Sequence, residues 1–113
     1  MLLTLRDKAL AAATLRGDGR RFLVGAAIMR ADGATVVSRN EGSAYPCPDA
    51  HAEARALRKA GFNPQVVVVV RVRKADGELA MAKPCEWCAA RLKAAGAREV
   101  WYTDDFGNLI RWR

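Results

Sequence analysis

The chain has 113 residues, of which 51% are hydrophobic and 27% are charged, and this balance excludes a disordered polypeptide. We interpret residues 1–113 as a single domain. No apolar run reaches membrane-spanning length, and Arg6, Asp7 and Lys8 interrupt the apolar N-terminus before a signal-peptide core forms, so we expect a cytoplasmic protein without a membrane partner. The formal net charge of +7 fits simple solubility, and it equally fits a phosphorylated or polyanionic partner.

Hydrophobic periodicity and turn residues predict eight elements in the order α-β-β-α-β-α-β-β. In chain order they are a helix at 3–16, strands at 22–30 and 34–39, a helix within 49–61, a strand at 65–73, a helix within 85–96, and strands at 98–103 and 109–113. Asp49 is the predicted N-cap of the second helix and Gly61 its stop. Pro84 opens the third helix and Gly96 ends it.

The predicted fold class is α/β, with a five-stranded mixed sheet between helices in a three-layer αβα arrangement. Five consecutive valines in QVVVVVRVR are typical of a central strand covered on both faces. Alternation of strands and helices through the middle of the chain predicts the mixed sheet with helices on both sides. The connection DDFGN is too short for a crossover helix, so the last two strands must pair antiparallel.

The segment AKPCEWCAARL contains two of the three cysteines, Cys85 and Cys88, at a spacing shared by redox pairs, structural metal sites and catalytic zinc sites. The only histidine, His51, stands near the start of another predicted helix, with Glu53 two residues on. Two such helix starts can converge at one sheet edge, where the helix N-terminus favours thiolates. One imidazole and two thiolates then leave the fourth zinc position to water, as in catalytic sites.

Glu53 is placed to take a proton from that water and pass it on. A redox pair would need neither Pro84 before the cysteines nor His-Ala-Glu upstream. The third cysteine, Cys47, is a candidate fourth ligand of a structural site, but zinc closed off in that way would leave Glu53 without a function. The order H-x-E…P-C-x-x-C is the signature of zinc deaminases, so the predicted cofactor is one catalytic Zn²⁺ per chain.

Nearly the whole chain from Phe22 onward resembles the cytidine deaminase superfamily. The motifs similar to those of the small, free-nucleoside enzymes are FLVGAA (22–27), EGSAYP (41–46), KPCEWC (83–88) and VWYTDDFGN (100–108). The antiparallel final strand pair also fits that branch. The resemblance therefore implies a cytidine-deaminase-like fold.

The resemblance also implies a role for each site residue. The implied zinc ligands are His51, Cys85 and Cys88. The implied proton shuttle is Glu53. The backbone N–H of Ala52 would bind the base, and Phe22 would pack beside it. Asn40 and Glu41 would approach the sugar. Trp87, at a helix start between two ligands, is predicted to form a wall of the pocket.

Two features depart from the free-nucleoside branch. His51 stands where those enzymes usually have cysteine, and histidine is typical of nucleotide deaminases, tRNA adenosine deaminases, polynucleotide cytosine editors and some toxin deaminases. Arg39 stands where that branch has the asparagine that grips the ribose. These departures and the net charge favour nucleic acid, whereas the strand and loop motifs favour small substrates.

The predicted function is hydrolytic deamination of cytosine to uracil in a cytidine-type nucleoside or nucleotide. The alternative substrate is cytosine in single-stranded DNA or RNA, bound by exposed aromatic residues beside basic ones. The candidate aromatic residues near the C-terminus are Trp101, Tyr102, Phe106 and Trp112, with Arg98, Arg111 and Arg113 among them. Core and subunit packing is the other interpretation of these aromatic residues.

A hypothesis of a different class is a non-catalytic, zinc-stabilised module that binds nucleic acid. It explains the net charge and the cysteine pair, but it does not explain Glu53 beside His51. Small enzymes of this branch complete their pockets across subunits, and the terminal strand LIRWR is expected to be half-exposed. We therefore also predict a homo-oligomer.

Overall fold

The computed structural model of the protein describes residues 1–14, 23–40, 51–61, 63–73 and 76–112. Within these ranges the helices and strands alternate much as predicted. In chain order they are α1 Leu2–Ala13, β1 Leu23–Arg30, β2 Thr35–Arg39, α2 Ala52–Ala60, β3 Pro64–Val72, β4 Leu79–Ala80, α3 Glu86–Ala94, β5 Glu99–Thr103 and β6 Leu109–Arg111. The strands form one mixed sheet in the order β2-β1-β3-β5-β6, with β4 beside β3.

The described part of the sheet has six strands, where five were predicted. The additional strand, β4, pairs antiparallel with Arg71 and Val72 at the end of β3. It lies on the same side of β3 as β5, whose parallel pairing with β3 ends at Val69. A strand of two residues has no hydrophobic periodicity, so the sequence pattern did not reveal it.

The central position of β3 confirms the interpretation of the valine run. β3 pairs antiparallel with β1 and parallel with β5. Val67 and Val69 belong to the core cluster that includes α2 and α3, whereas Val66 and Val68 belong to the cluster that includes α1. The three-layer αβα arrangement is thus confirmed, and each buried valine contributes about 1.5–3 kcal/mol relative to an exposed one.

The glycine of the FLVGAA motif lets α1 approach the sheet closely. A Cβ atom at Gly25 would lie 2.0 Å from the Ala9 carbonyl oxygen and 2.8 Å from the Ala13 nitrogen. Both contacts are to helix backbone, so no side-chain rotation would relieve them. Among the described residues, no helix is long and apolar enough to cross a membrane.

The helix ends determine where the site forms. α2 ends at Ala60, and Gly61 follows as its C-cap with a φ of 77°, as predicted. The short connection to β3 makes α2 antiparallel to that strand, so the N-terminus of α2 lies at the carboxyl end of β3. The same reversal between α3 and β5 brings both helix N-termini to one edge of the sheet, where open α/β sheets bind their ligands.

The predicted N-cap of α2 was wrong. The cap is His51, which has an extended backbone, and Asp49 lies outside the described residues. The antiparallel pairing of β5 with β6 is confirmed, with the turn between them braced by Asp104, whose carboxylate accepts the N–H groups of Phe106 and Asn108.

Candidate metal centre and active site

The proposed ligands sit at equivalent positions of two neighbouring helices. His51 is the N-cap of α2 and Cys85 is the N-cap of α3, both with extended backbone. The Cys85 sulfur accepts the N–H of Cys88 at 3.5 Å, which holds the second thiol one turn into the helix. Because α2 and α3 pack side by side on the same face of the sheet, their two caps meet.

The three ligand atoms all lie within 4.8 Å of one another, and the His51 nitrogen is close to both sulfurs. His51 Nδ1 lies 3.4 Å from Cys88 Sγ and 3.6 Å from Cys85 Sγ. Tetrahedral zinc with its usual bond lengths would separate a nitrogen ligand from a sulfur ligand by about 3.6 Å. Within the described residues this is the only group of three or more His, Cys, Asp or Glu side chains close enough to hold one metal ion.

The buried Cys88 thiol lies beside two other acidic groups, Glu53 and Cys85. Burial raises the pKa of the Cys88 thiol, and the nearby Glu53 carboxylate and Cys85 raise that pKa further. Burial of this thiol thus opposes the ionisation that a helix N-terminus favours. A divalent cation supplies the positive charge that lets such thiols bind as thiolates.

Glu53 is buried next to this group. It lies in the first turn of α2 and is 5% exposed. Burial raises its pKa, while the interaction of its carboxylate with its own backbone N–H and with His51 partly opposes that shift. A carboxyl group whose pKa is moved toward neutrality is suited to take up and release a proton.

Of the other predicted site residues, three lie among the described residues and differ in burial and contacts. Ala52 is fully buried at the start of α2, and Trp87 is 36% exposed in the first turn of α3. Asn40 follows the last residue of β2, and its side-chain oxygen accepts the Val24 N–H at 3.0 Å. Phe22, Glu41 and Cys47 lie outside the described residues.

The C-terminal aromatic residues divide between core and surface. Trp101, Tyr102 and Trp112 are half-buried and pack against the two core clusters. The Trp112 ring also carries the Lys93 ammonium at 4.4 Å. Phe106, by contrast, is 88% exposed at the tip of the β5–β6 turn. Most of this predicted aromatic surface therefore belongs to the core.

The sequence patterns did not single out two residues that brace the site. Thr103 is fully buried, and its hydroxyl donates to the Ala80 carbonyl at 2.7 Å, which ties β5 to β4 just before the cysteine segment. Arg55 donates to the Arg39 carbonyl at 2.7 Å, which ties α2 to the end of β2. The hydrogen-bond partners of Thr103 and Arg55 are backbone atoms distant in sequence. The only sequence feature that could have indicated either contact was a pair of basic residues four positions apart on α2, Arg55 and Lys59.

Comparison with known families agrees with this geometry. The family described as the cytidine and deoxycytidylate deaminase zinc-binding region matches residues 3–104. The chain belongs to this family. The protein is therefore a deaminase, which is a kind of hydrolytic enzyme. The predicted resemblance to the cytidine deaminase superfamily is confirmed. The cofactor prediction of one Zn²⁺ is confirmed as well, since the family is defined by zinc binding and the His/Cys/Cys group suits one such ion.

Solved structures of cytidine deaminases share the fold. A glutamate-to-glutamine mutant of the Mycobacterium tuberculosis cytidine deaminase is 26% identical, with a TM-score of 0.65, over 98% of this chain and 90% of that one. The M. tuberculosis cytidine deaminase itself is 29% identical, with a TM-score of 0.63, over 96% and 88%. The enzyme from Mycobacterium leprae is 26% identical, with a TM-score of 0.62, over 96% and 90%. No curated protein matches the chain.

Proposed function

We propose that the protein catalyses the zinc-dependent hydrolysis of the exocyclic amine of cytosine in a cytidine-type nucleoside or nucleotide. His51, Cys85 and Cys88 are the proposed zinc ligands and Glu53 the catalytic residue, within one deaminase domain spanning residues 1–113. The observation that carries this proposal is the group of three ligand atoms within 4.8 Å of one another beside a buried carboxyl group two residues from His51.

The zinc ion and the protein side chains would have different roles in the reaction. A zinc ion held by the three ligands would lower the pKa of a water molecule and so provide a nucleophile at neutral pH. Glu53 takes the proton that this water loses as it adds to C4 of the base. Glu53 delivers this proton to N3, then takes the second proton from the new C4 hydroxyl and delivers it to the departing amine, so cytosine and water give uracil and ammonia.

Backbone and aromatic groups would orient the base. Ala52 is the first residue of α2, and the first N–H groups of a helix have no acceptor within it, so this donor suits the carbonyl of a pyrimidine. Trp87 projects from the first turn of α3 between the two cysteines, and Arg91 lies 4.6 Å above its ring. We infer that this Trp87 ring, braced by Arg91, forms one wall of the pocket.

A small substrate is favoured over a polynucleotide. Three of the C-terminal aromatic residues pack on the core, which reduces the surface on which successive bases would stack. The similar solved structures are cytidine deaminases. We include Phe22, Asn40 and Glu41 as proposed substrate contacts on the strength of the family resemblance.

The experiment that tests the proposal offers zinc-loaded protein a panel of cytosine substrates. The panel contains cytidine, deoxycytidine, their monophosphates and a single-stranded oligonucleotide, with uracil products measured by mass spectrometry and Glu53→Ala as the blank. We expect uracil from the small molecules and none from the blank. Activity in the blank equal to that of the wild type would refute the mechanism.

The polynucleotide alternative retains specific support. Phe106 is exposed at the carboxyl-end edge of the sheet, the Trp87–Arg91 pair is partly exposed, and the net charge is +7. Conversion of the oligonucleotide alone would establish this function in place of the first. A non-catalytic binding module would instead hold the oligonucleotide with a steep salt dependence and convert none of the panel.

A further inference from the structure

Two cations on α2 bind the outer edge of the sheet. Arg55 Nη1 lies 2.7 Å from the Arg39 carbonyl oxygen, and Lys59 Nζ lies 2.8 Å from the Val37 carbonyl oxygen. Arg55 and Lys59 are one helical turn apart, and their acceptors are two residues apart on the edge strand β2. The distance between the two donors along α2 thus matches the distance between the two carbonyl acceptors along β2.

The ladder between β1 and β2 explains why these carbonyls are accessible. The Asn40 N–H donates to the Val24 carbonyl, so Asn40 faces β1, and the residues that face β1 alternate along β2. The carbonyls of Val37 and Arg39 therefore point away from β1, toward the side of β2 on which no other strand of the described residues pairs. Hydrogen bonds from charged donors to such carbonyls are among the stronger ones.

Only the Arg55 bond reaches a residue of the proposed site. The Arg39 carbonyl belongs to the same peptide group as the Asn40 N–H. That peptide is held on one side by Arg55 and on the other by the Val24 carbonyl, 3.1 Å from the Asn40 nitrogen. The Asn40 side-chain oxygen adds a third bond, from the Val24 N–H.

The other end of this connection is the catalytic turn. Arg55 follows Glu53 by two residues on the same helix, one turn from the His51 cap. We propose that Arg55 is a positioning residue, which sets the place of Asn40 relative to Glu53 by clamping the Arg39–Asn40 peptide to α2. This inference rests on the proposed function, in which Asn40 approaches the sugar while Glu53 acts on the base.

The test compares Arg55→Met with Lys59→Met, which removes a bond of the same type one turn farther from the site. Cytidine kinetics, zinc content and thermal unfolding would be measured for zinc-loaded protein. Arg55→Met should raise KM about tenfold with little change in kcat, because misplacing a substrate contact weakens binding without touching the ligands. Lys59→Met should leave KM unchanged, and Arg55→Lys should restore most of the affinity.

Two results would overturn the inference. Equal kinetic effects of Arg55→Met and Lys59→Met would make the Arg55 bond merely structural. Loss of zinc from Arg55→Met would show that Arg55 acts on the ligands rather than on Asn40.

A second readout is independent of turnover. Hydrogen exchange of the Asn40 and Val24 amides, followed by NMR, should accelerate in Arg55→Met and remain slow in Lys59→Met. If the wild type converts no cytidine, the proposed function fails, and this exchange measurement still decides whether Arg55 holds the peptide. Unchanged exchange in Arg55→Met would refute the clamp whatever the activity.

Discussion

At the scale of single residues, the burial of Glu53 is the feature most directly tied to chemistry. A carboxyl group that is 5% exposed, with its pKa raised by that burial, carries an unfavourable desolvation energy whenever it is ionised. A raised pKa means that this group favours folding at low pH and opposes it as the pH rises through the folded-state value. In the mechanism that we propose, this loss of stability accompanies proton transfer by Glu53.

Glu53→Gln should therefore separate activity from stability. We expect deamination to fall by about 10²–10⁴-fold, because the proton carrier is lost while the ligands remain. Zinc content should be unchanged, and the Tm should be no lower than that of the wild type. Glu86→Gln is the matched control, since Glu86 is exposed in the first turn of α3 and should leave activity intact. Normal turnover by Glu53→Gln would contradict the assignment.

At the scale of elements, the junction of β3, β4 and β5 supports the cysteine segment. The Thr103 hydroxyl accepts the Arg71 N–H at 3.4 Å and donates to the Ala80 carbonyl, while the Thr103 carbonyl accepts the Ala82 N–H at 2.8 Å. Ala82 precedes Cys85 by three residues. Thr103 thus holds the segment that leads to Cys85 through its hydroxyl and its backbone carbonyl together.

Thr103→Val should test this junction, because it keeps the shape of the side chain and removes the hydroxyl. We expect the free energy of unfolding to fall by about 1–3 kcal/mol, as a buried carbonyl loses its donor. Thr14→Val is the control: its hydroxyl also donates to backbone carbonyls, but on the exposed end of α1, so its effect should stay within about 0.5 kcal/mol. Chemical denaturation measures both, and equal effects would disprove the special role of Thr103.

The β5–β6 turn gives a prediction about pH. The N–H groups of Asn108 and Phe106 lower the pKa of Asp104, so its charged form is stabilised in the folded protein. This contribution to stability is complete above the unfolded-state pKa and disappears as the pH falls through the folded-state value. Asp104→Asn should therefore make stability less dependent on pH in the acid range, which thermal unfolding at a series of acid pH values would reveal. An unchanged acid limb would contradict the prediction.

At the scale of the whole molecule, exposed apolar groups gather near the carboxyl-end edge of the sheet. Phe106 is 88% exposed and Met81 is 41% exposed, and the Met81 N–H donates to Asp105 of the same turn at 3.1 Å. Burial of such a patch between subunits would be favourable. This observation adds to the proposal that the protein is a homo-oligomer.

Sedimentation velocity over a range of concentrations tests this proposal. We expect the wild type to sediment as an oligomer and Phe106→Ser to shift the distribution toward monomer. Leu3→Ser is the control, because Leu3 is 60% exposed on α1 and lies outside this patch. A wild type that remains monomeric at all concentrations would contradict the proposal.

The types of the elements and the identity of the proposed ligands were accessible from the sequence by itself. The buried valine strand, the Gly61 stop and the two helix starts bearing His51 and Cys85 are local patterns, because period, cap and spacing involve neighbours along the chain. The family resemblance extended these patterns to a fold and a cofactor, and the comparisons confirmed both.

Only the tertiary structure decided which groups meet across the chain. It revealed β4, whose two residues have no period, and it placed Trp101, Tyr102 and Trp112 on the core, which was one of the two interpretations that the sequence left open. It brought the His51 nitrogen within 3.6 Å of both cysteine sulfurs. The partners of Arg55 and Thr103 emerged in the same way, since those bonds are to backbone carbonyls that every residue has and that only the packing of helix on strand selects.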